Sequence, residues 1–182
     1  MATFTSDTYD ELGEKLDSLP LNFENLGGIE YFSGPAETVR VDEDNQLLKE
    51  LMKQPGNGRV LVVDGGEKIT CALMGGNMAT FFADSGWAGV VIVGAIRDRA
   101  EITEVELGVL AMGSNPKRSK KERTGEVGVK LEFAGVKVVP GAMVFADSDG
   151  VLIEKIATEH FRENNADMGC SSTRIDSLRP AP

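Results

Sequence analysis

The sequence predicts an α/β fold, one domain built round a buried parallel sheet, and three observations predict it. Arg59-Val-Leu-Val-Val-Asp64 and Gly89-Val-Val-Ile-Val-Gly-Ala-Ile96 are continuous apolar runs. Strands covered on both faces read this way, whereas a half-exposed strand alternates. Between the two runs, residues 76–85 read as a helix with Met78, Phe81 and Phe82 inward, so strand, helix and strand form a right-handed βαβ unit. Finally, 182 residues suffice for one domain with a real core but not for two.

The remaining elements follow in chain order. Residues 7–19 predict a first helix, capped by Ser6 or Thr8, with Leu12, Leu16 and Leu19 at helical spacing. Residues 31–41 read as a strand interrupted at Gly34-Pro35. Asp42 then opens a helix over 43–53 with Leu47, Leu48 and Leu51 inward, and Pro55-Gly-Asn-Gly58 is a turn. The stretch 70–74 is helical or irregular. Val109-Leu-Ala-Met112 is short and apolar, and residues 115–123 form a basic loop. Short strands follow at 127–133, 136–139, 142–146 and 150–153, punctuated by Gly135, Gly141 and Asp147-Ser-Asp-Gly150. Residues 154–164 read as a last helix. The domain is expected to span 1–157, with 158–182 a polar tail, partly helical or disordered.

Composition narrows the chemistry. The hydrophobic fraction is 41% and the charged fraction 26%, both ordinary for a globular chain. No apolar run is long enough to cross a membrane, and the first residues lack a basic-then-apolar leader. Two cysteines, Cys71 and Cys170, make no disulfide framework, and Cys71 reads as a small buried apolar side chain. Together these features predict a cytoplasmic protein. A net charge of −10 argues against a nucleic-acid surface, and it obliges any anionic ligand to find a local positive site. The lone histidine, His160, excludes a histidine-based zinc site or a Ser-His-Asp triad.

The most informative stretch is Arg97-Asp98-Arg99-Ala100-Glu101, directly after the second apolar run. A guanidinium and a carboxylate at the end of a buried strand are costly unless they meet an ion or ligand. Glu101, three positions beyond Asp98, shares its face on a helical turn. Two carboxylates beside a guanidinium suit Mg²⁺ or Mn²⁺. Twenty residues separate Arg97 from Gly76 in Gly75-Gly76-Asn77-Met78, which reads either as a helix start presenting free amides to an anion or as a packing bend. Both segments fall at the carboxyl ends of strands, where open α/β sheets hold ligands, and that favours the anion site. Together they suit a metal-bound carboxylic acid.

Other motifs take blander readings. Asp64-Gly65-Gly66 lacks the dinucleotide and Walker patterns and reads as a tight turn in which Asp64 caps local amides. The basic loop from Lys117 to Arg123 reads as solvated rather than as an RNA contact. Asp147 and Asp149 lack the spacing of a calcium loop.

Several blocks in order resemble a known family: Phe32-Ser-Gly-Pro-Ala-Glu-Thr-Val, Asp44-Asn-Gln-Leu-Leu, Val60-Leu-Val-Val-Asp-Gly-Gly, Ala72-Leu-Met-Gly-Gly-Asn-Met, Gly86-Trp-Ala-Gly-Val-Val-Ile-Val-Gly-Ala-Ile-Arg-Asp and Ala146-Asp-Ser-Asp-Gly-Val-Leu-Ile. They are similar to the RraA family, which joins regulators of ribonuclease E activity with 4-hydroxy-4-methyl-2-oxoglutarate aldolases. The resemblance runs from about residue 5 to residue 156. It implies a swivelling β/α/β fold of the phosphohistidine-domain type, assembled as a homotrimer or a dimer of trimers with sites near subunit interfaces. The catalytic members carry Gly, twenty residues, Arg-Asp, two residues, then an acid, and Gly76, Arg97, Asp98 and Glu101 fill that pattern. The implied activity is a metal-dependent pyruvate aldolase that also decarboxylates oxaloacetate. Asp98 would ligate Mg²⁺ or Mn²⁺ and Glu101 would hold a water. Arg97 would pair with the 2-keto acid, and the amides of Gly75, Gly76, Asn77 and Met78 would bind its carboxylate. The alternative is a non-enzymatic regulator that binds a ribonuclease. Some members carry a label as menaquinone-pathway methyltransferases, but no glycine-rich loop suited to S-adenosylmethionine is present.

Overall fold

The computed structural model describes residues 4–156. In chain order these form α1 (Thr5–Leu12), β1 (Leu16–Ser18), β2 (Glu24–Asn25), β3 (Phe32–Arg40), α2 (Gln46–Leu51), β4 (Val60–Asp64), β5 (Ala72–Met74), α3 (Gly76–Asp84), β6 (Gly89–Ile96), α4 (Arg99–Thr103), β7 (Gly108–Ser114), β8 (Glu126–Val127), β9 (Leu131–Phe133), β10 (Val136–Val138), β11 (Met143–Asp147) and β12 (Gly150–Glu154). Ten strands make one mixed sheet in the order β1-β12-β11-β3-β4-β6-β7-β2, with β5 added to β6 and β8 to β3. The centre, β3-β4-β6-β7, is parallel, and the flanks are antiparallel. β9 and β10 form a separate hairpin.

The two apolar runs become β4 and β6, paired from Val60–Gly89 to Asp64–Val93, with every residue of β6 buried. Side chains alternate across a strand, so each run feeds two cores. Leu61, Val63, Val90 and Ile92 join Leu47, Leu48 and Leu51 of α2 and Phe82 of α3 on one face. Val60, Val62, Val91 and Val93 join Leu131, Phe133 and Val138 of the hairpin on the other.

Several expectations are corrected. The first helix stops at Leu12, because Gly13 takes φ +53° and the chain turns to form β1, pairing Leu16 with Glu154. The apparent helical spacing of Leu16 and Leu19 therefore belongs to an edge strand and the residues after it. Gly34-Pro35 does not interrupt β3: the β4 neighbour begins only at Ala36, so the donor that proline lacks is not required on that side. Residues 72–74 are a strand rather than helical or irregular. Phe81 is 51% exposed, since Met78, Ala79 and Phe82 already fill the inner stripe of α3. The second predicted helix is also shorter, Gln46–Leu51, and 154 is the end of a strand. The rest of the predicted last helix and the tail 158–182 lie outside the described residues.

β5 determines where the chemistry falls. β4 pairs with β6 up to Val93, and β5 then takes up the same side of β6, setting Ala72 against Ala95 and Met74 against Ile96. The two strands thus lie in tandem along one neighbour, and both β5 and β6 end at the same level. The Arg97 amide donates to Met74 O at 2.9 Å, which locks Gly75-Gly76 beside Arg97-Asp98.

Candidate functional site

Asp98 links β6 to α4 at φ 60°, ψ 42°, a left-handed conformation that Asp tolerates better than most residues yet still costs of order 1 kcal/mol or more. It occupies the N-cap position of α4 but makes no side-chain cap. Aspartates at that position ordinarily bond the amides of the next turn. Here Oδ2 instead accepts from the Gly76 N–H at 3.2 Å and lies 3.4 Å from Arg97 Nε. That separation is longer than a tight charge-assisted bond, and both side chains are about a third exposed (32% and 35%). The Asp98 carboxylate is held from one side and open on the other.

The glycine pair makes this possible. A Cβ on Gly75 would meet Asp98 Oδ2, with Arg97 Nε at 3.2 Å, and a Cβ on Gly76 would meet the Glu101 side chain, its Cβ at 2.8 Å. Gly75 leaves room for one carboxylate and Gly76 for the other. The four amides expected to bind a carboxylate are not equally free. Gly76 N–H is engaged by Asp98, and Met78 N–H donates to Gly75 O at 3.0 Å. Asn77 N–H in the first turn of α3 has no partner among the described residues.

A cavity of about 180 Å³ opens over this arrangement. One wall consists of Met74, Gly75, Asn77, Met78, Arg97 and Asp98. The other is Asn45 and Lys49 from the α2 region with Arg118, Ser119 and Lys121 from the basic loop. On the far side of Arg97 and Asp98 lies a second, open hollow of about 310 Å³, lined also by Arg99 and Asn115.

Sequence patterns do not announce the second wall. The loop's charged side chains are exposed, as expected, but its main chain is anchored. Ala72 N–H donates to Lys117 O at 2.8 Å, Lys120 N–H to Glu43 O at 2.7 Å and Asn45 N–H to Lys120 O at 3.2 Å, so the loop bridges β5 and the start of α2. Asp44, fully buried, takes the Gln46 N–H at 2.8 Å and the Glu122 N–H. Burial pushes its carboxyl up, but the amides of Gln46, Glu122, Thr124 and Arg123 together outweigh this and hold it below the ordinary range. A buried Asp just before the helix was the available signal, because such a carboxylate must satisfy several donors. Lys49 is pushed below the ordinary lysine range by burial first, then by Lys121, Arg118 and Arg97. The predicted Asp64 turn does form, with Gly66 N–H on Asp64 Oδ1 at 3.0 Å.

For a metal, the donor set is sparse. Among the described residues no three of His, Cys, Asp and Glu stand close enough to enclose an ion. An ion at this place would take Asp98 and complete its shell with water and ligand oxygens, with Glu101 across Gly76 to hold a water. Mg²⁺ and Mn²⁺ accept that arrangement, whereas structural zinc wants three or four nitrogen or sulfur ligands.

The fold and site define a mixed α/β protein whose parallel strands end in a small cationic cavity. The chain belongs to the RraA-like family: the family model described as Aldolase/RraA matches residues 5–153. It is 47% identical over 151 residues to a 4-hydroxy-4-methyl-2-oxoglutarate aldolase of Thermus thermophilus, an alignment covering 83% of this chain and 90% of that one. Two solved structures have the same fold. One, described as the RNA-processing inhibitor RraA of Thermus thermophilus, superposes with TM-score 0.81 at 43% identity, over 87% of this chain and 98% of that one. The other, described as an S-adenosylmethionine:2-dimethylmenaquinone methyltransferase of Geobacillus kaustophilus, has TM-score 0.82 at 44% identity, over 86% and 97%. No helix among the described residues is long and apolar enough to cross a membrane.

Proposed function

We propose that the chain is a divalent-metal-dependent aldolase that cleaves 4-hydroxy-4-methyl-2-oxoglutarate-type 4-hydroxy-2-keto acids to pyruvate and also decarboxylates oxaloacetate. The observation that carries this reading is Asp98, an N-cap residue turned away from its helix to meet the Gly76 N–H and Arg97 at the mouth of a cationic cavity. The aldolase name of the 47% identical relative supports it.

Arg97, with its planar fork, would hold the 2-keto acid end of the substrate, and Asn77 N–H would hold the carboxylate. Asp98 would carry Mg²⁺ or Mn²⁺, which when bound supplies Lewis-acid polarisation of the keto oxygen. Glu101 would accept the 4-hydroxyl proton through a held water. As the deprotonated 4-hydroxyl becomes a C4 carbonyl, the C3–C4 bond breaks, its electron pair forms the C2=C3 bond of the pyruvate enolate with the charge on the C2 oxygen facing Arg97, and the C4 fragment leaves as a second carbonyl product. Protonation at C3 from a positioned water completes pyruvate. With oxaloacetate the same bond breaks with loss of CO₂ and the same enolate results, so one site serves both reactions. We further propose a homotrimer or a dimer of trimers.

The test is oxaloacetate turnover with Mg²⁺ or Mn²⁺, followed as pyruvate with a coupled dehydrogenase, with and without chelator. We expect chelator-sensitive turnover above the rate of metal alone, with higher KM and lower kcat in Arg97→Ala. Lys49 lines the cavity, so borohydride trapping with pyruvate distinguishes an imine-forming lysine. Activity that resists chelation and is destroyed by borohydride would overturn the metal reading. No turnover at all would favour a protein-binding regulator, as the name of the Thermus structure suggests for that protein.

A further inference from the structure

Lys49 has no part in the cleavage described above, yet its side chain stands in the cavity lining. Arg97, Arg118 and Lys121 share that lining with it, and Asp98 is the one carboxylate there. Among the described residues Lys49, Arg118 and Lys121 form no ion pair. The chain carries a net charge of −10, so this gathering of cations is not a by-product of a basic composition. Burial first, then the neighbouring Lys121, Arg118 and Arg97, push the Lys49 ammonium below the ordinary lysine range. A lysine desolvated beside other cations is the kind that reacts as a free amine.

Two neutral groups beside it are incomplete. Asn45 lies one helical turn before Lys49, whose backbone N–H donates to Asn45 O at 3.1 Å, so the two side chains share a face. The Asn45 Nδ2 donates to Leu73 O at 3.2 Å and to the Met78 sulfur at 3.5 Å, which leaves Oδ1 as a fixed acceptor. Asn45 Oδ1 and Ser119 Oγ are both buried with no hydrogen-bond partner among the described residues. Buried polar atoms are ordinarily satisfied. Here one wants an N–H, and the other has a proton to give to an anion.

We propose that Lys49 is a carbamylation site, its amine taking up carbon dioxide and holding it as a carbamate. The nitrogen lone pair forms the N–C bond, one C–O π pair moves to oxygen, and a proton leaves nitrogen for water. Nothing is oxidised or reduced. The carbamate keeps one N–H for Asn45 Oδ1, and its oxygens accept from Ser119 Oγ and from the Arg118 and Lys121 cations. The charge at Lys49 changes sign, so three cations then face two anions. An imine formed with a carbonyl ligand stays positive when protonated and relieves no crowding. Dissolved carbon dioxide suffices for the reaction, so the site stands apart from the aldolase reading.

The experiment incubates the full chain in ¹³C-labelled bicarbonate, fixes any carbamate by ethylation with triethyloxonium, and reads the digested peptides by mass spectrometry. We expect the labelled ethyl carbamate on Lys49, and in the untreated chain a ¹³C carbamate resonance that Lys49→Arg loses. An Arg118→Gln/Lys121→Gln double variant keeps the amine and removes two compensating cations. Its bicarbonate concentration for half occupancy of Lys49 should rise about tenfold or more, the scale of lost charge-assisted bonds. Both of those side chains are exposed, so that variant loses no core packing. A label confined to other amines of the chain, or an occupancy of Lys49 unchanged in the double variant, overturns the proposal. Either result leaves the aldolase reading to be decided by oxaloacetate turnover.

Discussion

The two walls of the cavity reach the same place by opposite means. The Arg97 wall stands on regular elements: β5 and β6 end side by side, and the Arg97–Met74 backbone bond aligns the segments that leave them. The Lys121 wall, apart from Lys49 of α2, is a loop with almost no regular structure, set by backbone bonds to Ala72, Glu43 and Asn45 and by the buried Asp44. The first wall holds its functional groups through local geometry, the second through contacts distant in sequence. Substitutions in the first should therefore disturb chemistry with little loss of fold, and substitutions in the anchor of the second should disturb structure before chemistry.

The largest expected effect belongs to Asp98→Ala. It removes the one carboxylate pinned at the strand end, and steady-state turnover should fall to the rate of metal alone. Alanine at φ 60° and the loss of the Gly76 N–H contact should cost about 1–2 kcal/mol, a shift of a few degrees in melting temperature and far short of unfolding. A loss of fold equal to the loss of rate would erase the contrast between the walls. Gly76→Ala comes next. Its Cβ would displace Glu101, whose own Cβ would lie 2.8 Å away, and about a tenfold to hundredfold loss in kcat is expected from a misplacement of that size.

Asp44→Asn probes the other wall. Losing the charge that gathers several amides should cost about 1–3 kcal/mol in urea unfolding. The pH dependence sharpens this. A carboxylate held below its ordinary range stabilises the fold above its unfolded value of about 3.9 and loses that contribution as pH falls through the lower folded value. The Asp44 contribution should therefore be flat from neutrality to about pH 4 and vanish only below it, and Asp44→Asn should flatten that acid limb. The smallest effect is expected from Arg99→Ala. Arg99 is adjacent to Asp98 but pairs with Glu24 on the surface, each about half exposed, so the unfolding free energy should change by at most about 1 kcal/mol.

The same contrast explains what the sequence revealed. Arg97, Asp98, Glu101 and the glycine pair were legible because an apolar run announces a strand and the residues after it must lie at its end. β4, β6 and α3 were legible for the same reason. The basic loop is solvated at its side chains, but its anchoring was hidden because nothing local to Lys117–Arg123 says that Asp44, 78 residues before Glu122, captures its amides. β1 was hidden by leucines at helical spacing, although Gly13 was a visible stop. β5 was too short, at three residues, to show any period.

Because the loop is anchored by its main chain and by one aspartate belonging to another segment, the side chains at 118, 119 and 121 bear little of its placement. They form a replaceable cassette. Natural drift or laboratory mutagenesis can rewrite them without refolding the scaffold, while the strand-end wall, fixed by regular elements, stays as it is. One face of the cavity is thus free to change while the other is held.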